Sequence, residues 1–336
     1  EKCARTAVDE TGLGVYEHKV AKHQKKTLGV LRDLQSVKTV GVIEDNPELG
    51  IKKIAKPVGV IGAITPMTNA SATMPCNGLP ILKTRNAVIF ATHPKAKNTC
   101  DYICGEMRKG LKKVGAPVDL VQNIKEPSLD LSQELMSKVD LVLATGGGGV
   151  VKSAYSSGKP AYGVGAGNAT VIVDETADIS DAAIKIFNGK TFDNATSCSS
   201  ENNVIVHESV FDAFVDGLKA QGAYLVTGEE REKLKSAMWP DGAHLNGKIV
   251  CRDVKVIADA AGLNVPDGTT LLLVIGEAIG KEDMFSAEKL SNVLTLWKYR
   301  NFNDAVQMVI DITAFSGYGH SCGIHSTNEE HIMELA

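Results

Sequence analysis

The tightest constraint on the fold is a regular alternation that runs from Asn86 to Gly149. Asn86-Ala-Val-Ile-Phe-Ala is a short apolar run, Ala96 to Val114 carries a helical pattern, and Val118-Asp-Leu-Val-Gln is again rich in strand formers. Leu129 to Ser137 reads as a second helix. Leu141-Val-Leu-Ala-Thr then reads as a third strand, delivering the chain to Gly146-Gly-Gly-Gly149. Strands alternating with helices of this length specify a mostly parallel, doubly wound α/β sheet. Ligands of such sheets sit at the carboxyl ends of the strands.

The flanks extend this pattern. Residues 1 to about 35 are polar, with Val15, Val20, Leu28 and Leu31 at helical spacing. Thr39 to Ile64 is rich in β-branched residues punctuated by Asp45-Asn46-Pro47 and Gly50, which predicts strands joined by a turn. A second α/β run begins near Ala195, with a strand at Asn203-Val-Ile-Val-His, a helix over 210–220, and strands around Thr270–Ile275 and Val293–Trp297. The expected organisation is therefore residues 1–194 and 195–336 as two α/β domains. A length of 336 residues suffices for two cores.

Charge and cysteine content exclude several classes. The net charge is −4 with acids and bases interleaved, so no basic block addresses nucleic acid or an anionic membrane. No run approaches the length of a membrane helix. Seven cysteines at irregular spacing do not form a disulfide framework and read as reduced thiols of a cytoplasmic enzyme. The chain opens without Met and ends inside a helical pattern, so it reads as part of a longer polypeptide.

Among the cysteines, Cys198 stands out locally. It lies in Asn194-Ala-Thr-Ser-Cys-Ser-Ser-Glu-Asn, flanked by small polar residues just before an apolar strand. Thiols in polar, accessible turns are the reactive ones. Cys100 and Cys104 are one helical turn apart and read as a packed helix face. His320-Ser-Cys322-Gly-Ile-His325 lacks the second ligand cluster that a zinc site requires, so no metal is expected. Gly146 to Gly149 follows a strand and precedes a helix expected from about Val150, an arrangement that offers backbone N–H groups to an anion. It lacks the Lys-Ser/Thr of a P-loop. Gly163-Val-Gly165-Ala-Gly167-Asn168 does not have dinucleotide-fingerprint spacing. A tight structural turn accounts for either glycine run equally well.

Taken in order, these segments resemble the aldehyde dehydrogenase superfamily, and its CoA-acylating branch in particular, including the aldehyde half of bifunctional aldehyde–alcohol dehydrogenases. The matching segments include Glu10-Thr-Gly-Leu-Gly, Ile64-Thr-Pro-Met-Thr-Asn69, His93-Pro-Lys-Ala, Ala144-Thr-Gly-Gly, Gly163 to Asn168, Lys190-Thr-Phe-Asp-Asn, Glu288-Lys-Leu-Ser and Gly319-His320. The resemblance implies a Rossmann-type cofactor domain followed by an α/β catalytic domain, and an oligomerisation arm at about 39–54 that makes a homodimer or homotetramer. It makes Cys198 the nucleophile, Asn69 the side-chain donor to the oxyanion, and Glu288 the carboxylate that holds the nicotinamide ribose. Thr65, His93, Gly146, Gly147 and Gly165 fall at cofactor-binding positions. His320 becomes a candidate for deprotonating the incoming CoA thiol, with a structural hydrogen bond as the competing role.

One departure is informative. Hydrolytic relatives carry a water-activating Glu in Glu-Leu-Gly-Gly, where this sequence reads Gly163-Val-Gly-Ala. Without that base, CoA rather than water is the expected acyl acceptor. Ala96 stands where a Glu would repel a 2′-phosphate, so NAD is expected and NADP is not excluded by charge. Thr196, Ser197, Ser199 and Ser200 around the nucleophile suggest a short aldehyde with a polar tail, sulfoacetaldehyde or else acetaldehyde. Two other readings stand beside this one, a hydrolytic CoA-independent enzyme and a non-catalytic scaffold that keeps the fold. The expected location is the cytoplasm, with a bacterial microcompartment as the alternative.

Overall fold

The computed structural model describes residues 1–336, which form two compact units, Glu1–Gly165 and Ala166–Ala336. The first unit starts with helices α1 (Lys2–Thr11) and α2 (Tyr16–Gln35), then strands β1 (Gly41–Asn46) and β2 (Ile51–Ala55). These strands pair only with each other, as an antiparallel ribbon. The alternating part follows: β3 (Val60–Thr65), α3 (Ala70–Lys83), β4 (Ala87–Thr92), α4 (Lys97–Lys113), β5 (Val121–Asn123), α5 (Leu129–Lys138), β6 (Leu141–Thr145), α6 (Gly148–Tyr155) and β7 (Ala161–Val164). The five strands from β3 onward form one parallel sheet in the order β5-β4-β3-β6-β7. That is a doubly wound order, and it reverses between β3 and β6.

Apolar layers cover both faces of this sheet. Ile61, Ala63, Val88 and Phe90 pack with Met74, Cys100, Ile103 and Cys104 on one side. Ile64, Ala91, Val142 and Ala144 pack with Leu135, Met136 and Ala154 on the other. Cys100 and Cys104 are thus the packed helix face that their spacing predicts. Two local expectations shift. Val118–Leu120 is a 3₁₀ turn, with Pro117 at φ −59° ahead of it, and the strand begins only at Val121. Helix α6 starts at Gly148, not near Val150, with Gly147 at its N-cap.

The second unit contains β8 (Thr170–Val173), α7 (Ile179–Thr191), β9 (Asn203–His207), α8 (Phe211–Ala220), β10 (Ala223–Leu225), α9 (Glu229–Met238), α10 (Val254–Ala261), β11 (Leu271–Ile275), β12 (Val293–Tyr299), α11 (Phe302–Phe315), β13 (Cys322–His325) and α12 (Glu329–Leu335). Its six strands form a second parallel sheet, β10-β11-β12-β9-β8-β13. Residues alternate between its faces as the strand repeat requires. Val171 and Val173 join the core with Ile186 and Phe214, whereas Ile172 faces Trp297 and Ile312.

The unit boundary at 165/166 lies well before the sequence boundary at 194/195. The reason is hydrogen bonding: β8 pairs with β9 and β13, so β8 and the helix after it belong to the second sheet. No helix is long and apolar enough to cross a membrane.

Candidate active site

In the first unit, the carboxyl ends of β3, β4 and β6 open onto a cavity of about 650 Å³. Its lining includes Thr65, His93, Gly146 and Gly147, four of the six predicted cofactor-binding residues, Glu288 lying in the second unit. The cavity lies at the point where the strand order reverses, the usual ligand position in a doubly wound sheet. Gly147 and Gly149 present backbone at the start of α6, where unsatisfied N–H groups favour phosphate. Thr65 and Thr92 are buried at the ends of their strands, and their hydroxyls make no ordinary hydrogen bond. Burial pushes the adjacent Cys100 thiol up to about 12. A volume and lining of this kind suit a dinucleotide. Gly165 is outside the lining, and a Cβ there would only graze Val151 at 3.9 Å.

Asn69 follows β3 at the N-cap of α3. Its carbonyl oxygen accepts from Thr73 N at 3.0 Å and from Thr73 Oγ1 at 2.8 Å, while its side chain does not cap the helix. Instead Oδ1 accepts a hydrogen bond from Lys22 Nζ at 3.3 Å.

In the second unit, Cys198, Glu288 and His320 converge on one backbone position, Gly167. The Gly167 N–H donates to Glu288 Oε1 at 3.0 Å. A Cβ on Gly167 would overlap the Cys198 carbonyl oxygen and lie 3.0 Å from His320 Nε2. The other imidazole nitrogen, Nδ1, is 2.9 Å from Ser321 Oγ. The three predicted residues are therefore neighbours, although 122 positions separate the first from the last in a sequence of 336 residues. They sit ahead of β9, β12 and β13, at the amino ends of the strands. The carboxyl-end expectation holds for the cavity of the first sheet and not for this cluster.

The turn that carries Cys198 is held in a costly conformation. Asp193, Asn194 and Ala195 all have positive φ, at 55°, 50° and 55°. Left-handed backbone is uncommon for residues with a Cβ, and each such residue costs of order 1–3 kcal/mol. Two further positive-φ residues, Cys251 at 55° and Leu290 at 41°, touch the same region. Cys251 N donates to Leu290 O at 2.7 Å, Cys251 Sγ to Ala195 O at 3.9 Å, and Asn292 Nδ2 to Asn194 Oδ1 at 3.2 Å. Thr196 Oγ1 donates to the buried Asp193 carboxylate at 2.5 Å. Thr196 and Ser200 are thus buried parts of the turn, leaving Ser197 and Ser199 as the more accessible polar neighbours of Cys198.

Beneath the turn lies a buried ionic cluster that the sequence did not announce. Burial pushes the Glu288 carboxyl up to about 7, against the Gly167 N–H, Lys190 and Lys289, which oppose the rise. Lys190 is lowered to about 8 by its own burial, and Lys289 falls well below the ordinary lysine range. Asn202 ties these parts together. Its Oδ1 accepts from Lys190 Nζ at 3.2 Å and Lys289 N at 3.1 Å, and its Nδ2 donates to Ser200 O at 3.2 Å. Most of the other thiols are withdrawn: burial raises Cys3, Cys76 and Cys104, and Cys251 is fully buried, whereas Cys322 is exposed.

Comparison with known proteins decides the family, because residues 16–251 match the model of the aldehyde dehydrogenase family. The chain belongs to that family. It is 53% identical over 338 aligned residues to a sulfoacetaldehyde dehydrogenase of Acholeplasma sp, covering 99% of this chain and 70% of the relative. It is 50% identical to a sulfoacetaldehyde dehydrogenase (acylating) of Bilophila wadsworthia, covering 99% and 73%. Among solved structures, an acetylating aldehyde dehydrogenase from Geobacillus thermoglucosidasius superimposes with a TM-score of 0.96 at 39% identity, over 100% of this chain and 74% of that one. The fold is that of an aldehyde dehydrogenase.

Within that family the departure at Gly163 acquires a physical form. A Cβ at Gly163 would lie 2.7 Å from Val151 Cγ1 and 2.9 Å from Tyr155 Cε2, and Gly163 N donates to the Tyr155 hydroxyl at 3.1 Å. Any side chain at Gly163 would therefore meet α6.

Proposed function

We propose that the protein is a CoA-acylating aldehyde dehydrogenase that converts a short aldehyde, sulfoacetaldehyde, to its acyl-CoA. The observation that carries the reading is the convergence of Cys198, Glu288 and His320 on Gly167, together with the lack of a carboxylate in Gly163-Val-Gly-Ala. Two relatives of 50% identity or more are named for sulfoacetaldehyde.

Cys198 Sγ, as thiolate, adds to the aldehyde carbonyl, and the carbonyl pair moves onto oxygen. Asn69 Nδ2 donates to that oxyanion, as in other sites where fixed donors meet developing charge. A bound nicotinamide dinucleotide would supply the hydride acceptor. The cavity with Thr65, His93, Gly146 and Gly147 would hold its adenosine and phosphate end, and Glu288 would accept from its ribose. Ala96 is buried beside the exposed Lys95, so no carboxylate opposes a 2′-phosphate, although NAD is the proposed cofactor. The resulting thioester on Cys198 is exchanged for another thioester by CoA. When Nδ1 of His320 donates to Ser321 Oγ, the Nε2 lone pair faces the Gly167–Cys198 backbone, where it can take the proton of the entering thiol.

The exposed apolar residues of the β1–β2 ribbon, Ile43, Leu49, Ile51 and Ile54, support homo-oligomer formation through this arm. Seven thiols without a disulfide fit a reducing compartment such as the cytoplasm.

The test is NADH formation with sulfoacetaldehyde or acetaldehyde, with and without CoA, for the wild type and Cys198→Ala. Turnover that needs CoA, prefers sulfoacetaldehyde and disappears in the Ala variant is expected. Equal steady turnover without CoA would refute the acylating mechanism, and a preference for acetaldehyde would refute the substrate.

A further inference from the structure

Lys22 is an unusual residue to find buried. It lies in the Lys-rich stretch His18-Lys-Val-Ala-Lys-His-Gln-Lys-Lys of α2, yet it is 2% exposed and among the largest fully buried side chains of the protein. Burying an ammonium costs several kcal/mol unless partners compensate, and an apolar chain of equal length would avoid that cost. One of its partners is Asn69 Oδ1, at 3.3 Å. The neighbouring His23 fastens the same helix to the first turn of α3, with Nε2 at 2.7 Å from Ser71 Oγ.

Asn69 is equally unusual from its own side. An Asn at an N-cap normally turns its side-chain oxygen onto the backbone N–H groups of the first turn. Here that oxygen is diverted to Lys22, and α3 begins without a side-chain cap.

We infer that Lys22 is a positioning residue for catalysis, fixing and polarising the Asn69 amide so that its Nδ2–H group is presented to the oxyanion. The inference rests on the reading of Asn69 as the oxyanion donor. An ammonium has three donors and no acceptor, so only the oxygen end of the amide can face it. The flip that is ordinarily ambiguous for an Asn is thereby decided by charge, and Nδ2 is directed away from Lys22. A positive group on Oδ1 also draws electron density from the amide, making Nδ2–H a stronger donor. The step it serves moves no proton: the C–S bond forms with the thiolate pair, the carbonyl π pair becomes the oxyanion, and the polarised N–H meets it.

The experiment is a double-mutant cycle on the full chain, with Lys22→Met, Asn69→Ala and the pair, read by the pre-steady-state NADH burst at saturating aldehyde. Asn69→Ala should slow the burst about 100-fold or more, and Lys22→Met about tenfold. The pair should be no slower than Asn69→Ala alone. The KM for NAD and the rate of Cys198 alkylation by iodoacetamide, which develops no oxyanion, should be unchanged in Lys22→Met. Lys22→Gln retains a neutral donor of similar reach and should lose less. It also replaces Lys22→Met in the cycle if the Met variant does not fold. A loss in the Lys22 variant that multiplies with that of Asn69→Ala, or no loss at all, overturns the inference. No loss in Asn69→Ala overturns instead the oxyanion reading beneath it.

Discussion

Glu288→Gln should make the protein more stable at pH 8 while impairing catalysis. The carboxyl sits at about 7 in the folded chain because burial penalises its anion, against an ordinary value of 4.5. Between these two values the folded state holds a proton that the unfolded state releases, so stability falls as pH rises through that window. At about 1.4 kcal/mol per pH unit, the full penalty above pH 7 is bounded at about 3.5 kcal/mol. Glutamine keeps the oxygen that accepts from Gly167 N and carries no charge to desolvate. Part of the gain is lost because Lys190, itself buried, loses a favourable neighbour. A net gain of about 1–3 kcal/mol at pH 8, shrinking to less than about 1 kcal/mol at pH 5, is expected. The assay is urea unfolding followed by tryptophan fluorescence, since both tryptophans, Trp239 and Trp297, are buried in the second unit. With a slope of about 2 kcal/mol/M, the midpoint should rise by about 0.5–1.5 M at pH 8. A gain of equal size at pH 5, or a loss at pH 8, would refute the claim that desolvation governs this carboxylate. The same variant should turn over slowly, which would make Glu288 a residue kept for function against stability.

Two further outcomes follow from the geometry around Gly167. His320→Ala should lower CoA-dependent turnover by about 10²–10⁴-fold and leave the single-turnover NADH burst intact; a burst that falls in parallel would place His320 in the earlier steps. Gly167→Ala forces a methyl group onto the Cys198 carbonyl and the His320 ring, costing about 1–3 kcal/mol of stability by overpacking and most of the activity. Wild-type turnover from a normally folded Gly167→Ala protein, judged by tryptophan fluorescence, would show that the close packing is not needed.

Much of the first unit is legible in the sequence because its strands are short apolar runs in chain order, each followed by a helix that packs back on the sheet. Val118–Leu120 misleads because β-branched composition says strand, while the preceding Pro117 fixes a turn. The unit boundary is hidden for a different reason. Membership of β8 in the second sheet depends on pairing with strands that arrive 33 and 152 residues later in register, Thr170 with Asn203 and with Cys322. Local pattern carries no trace of such a partner. In the site, Cys198, Glu288 and His320 are recoverable through the family resemblance, whereas Gly167 is only one more glycine in a Gly-rich segment. Lys22 is the least legible: a lysine among lysines on a polar helix is ordinarily solvated, and only its contact with Asn69 distinguishes it from Lys19, which is buried on the same helix. Ala195 at φ 55° is equally silent, since alanine does not advertise a left-handed conformation as glycine does.

The position of β13 at the outer end of the second sheet bears on how the enzyme is made. A chain emerging from the ribosome displays Cys198 and β9 long before it supplies Glu288, and His320 with β13 arrives last of all. Until then β8 has an uncovered flank and the nucleophile turn lacks two of the groups that meet at Gly167. Pairings so distant in sequence are slow to form, because loop closure precedes any gain from contact. The Cys198 turn therefore passes through synthesis without Glu288 and His320 beside it, and the arrangement around Gly167 is complete only when β13 pairs with β8.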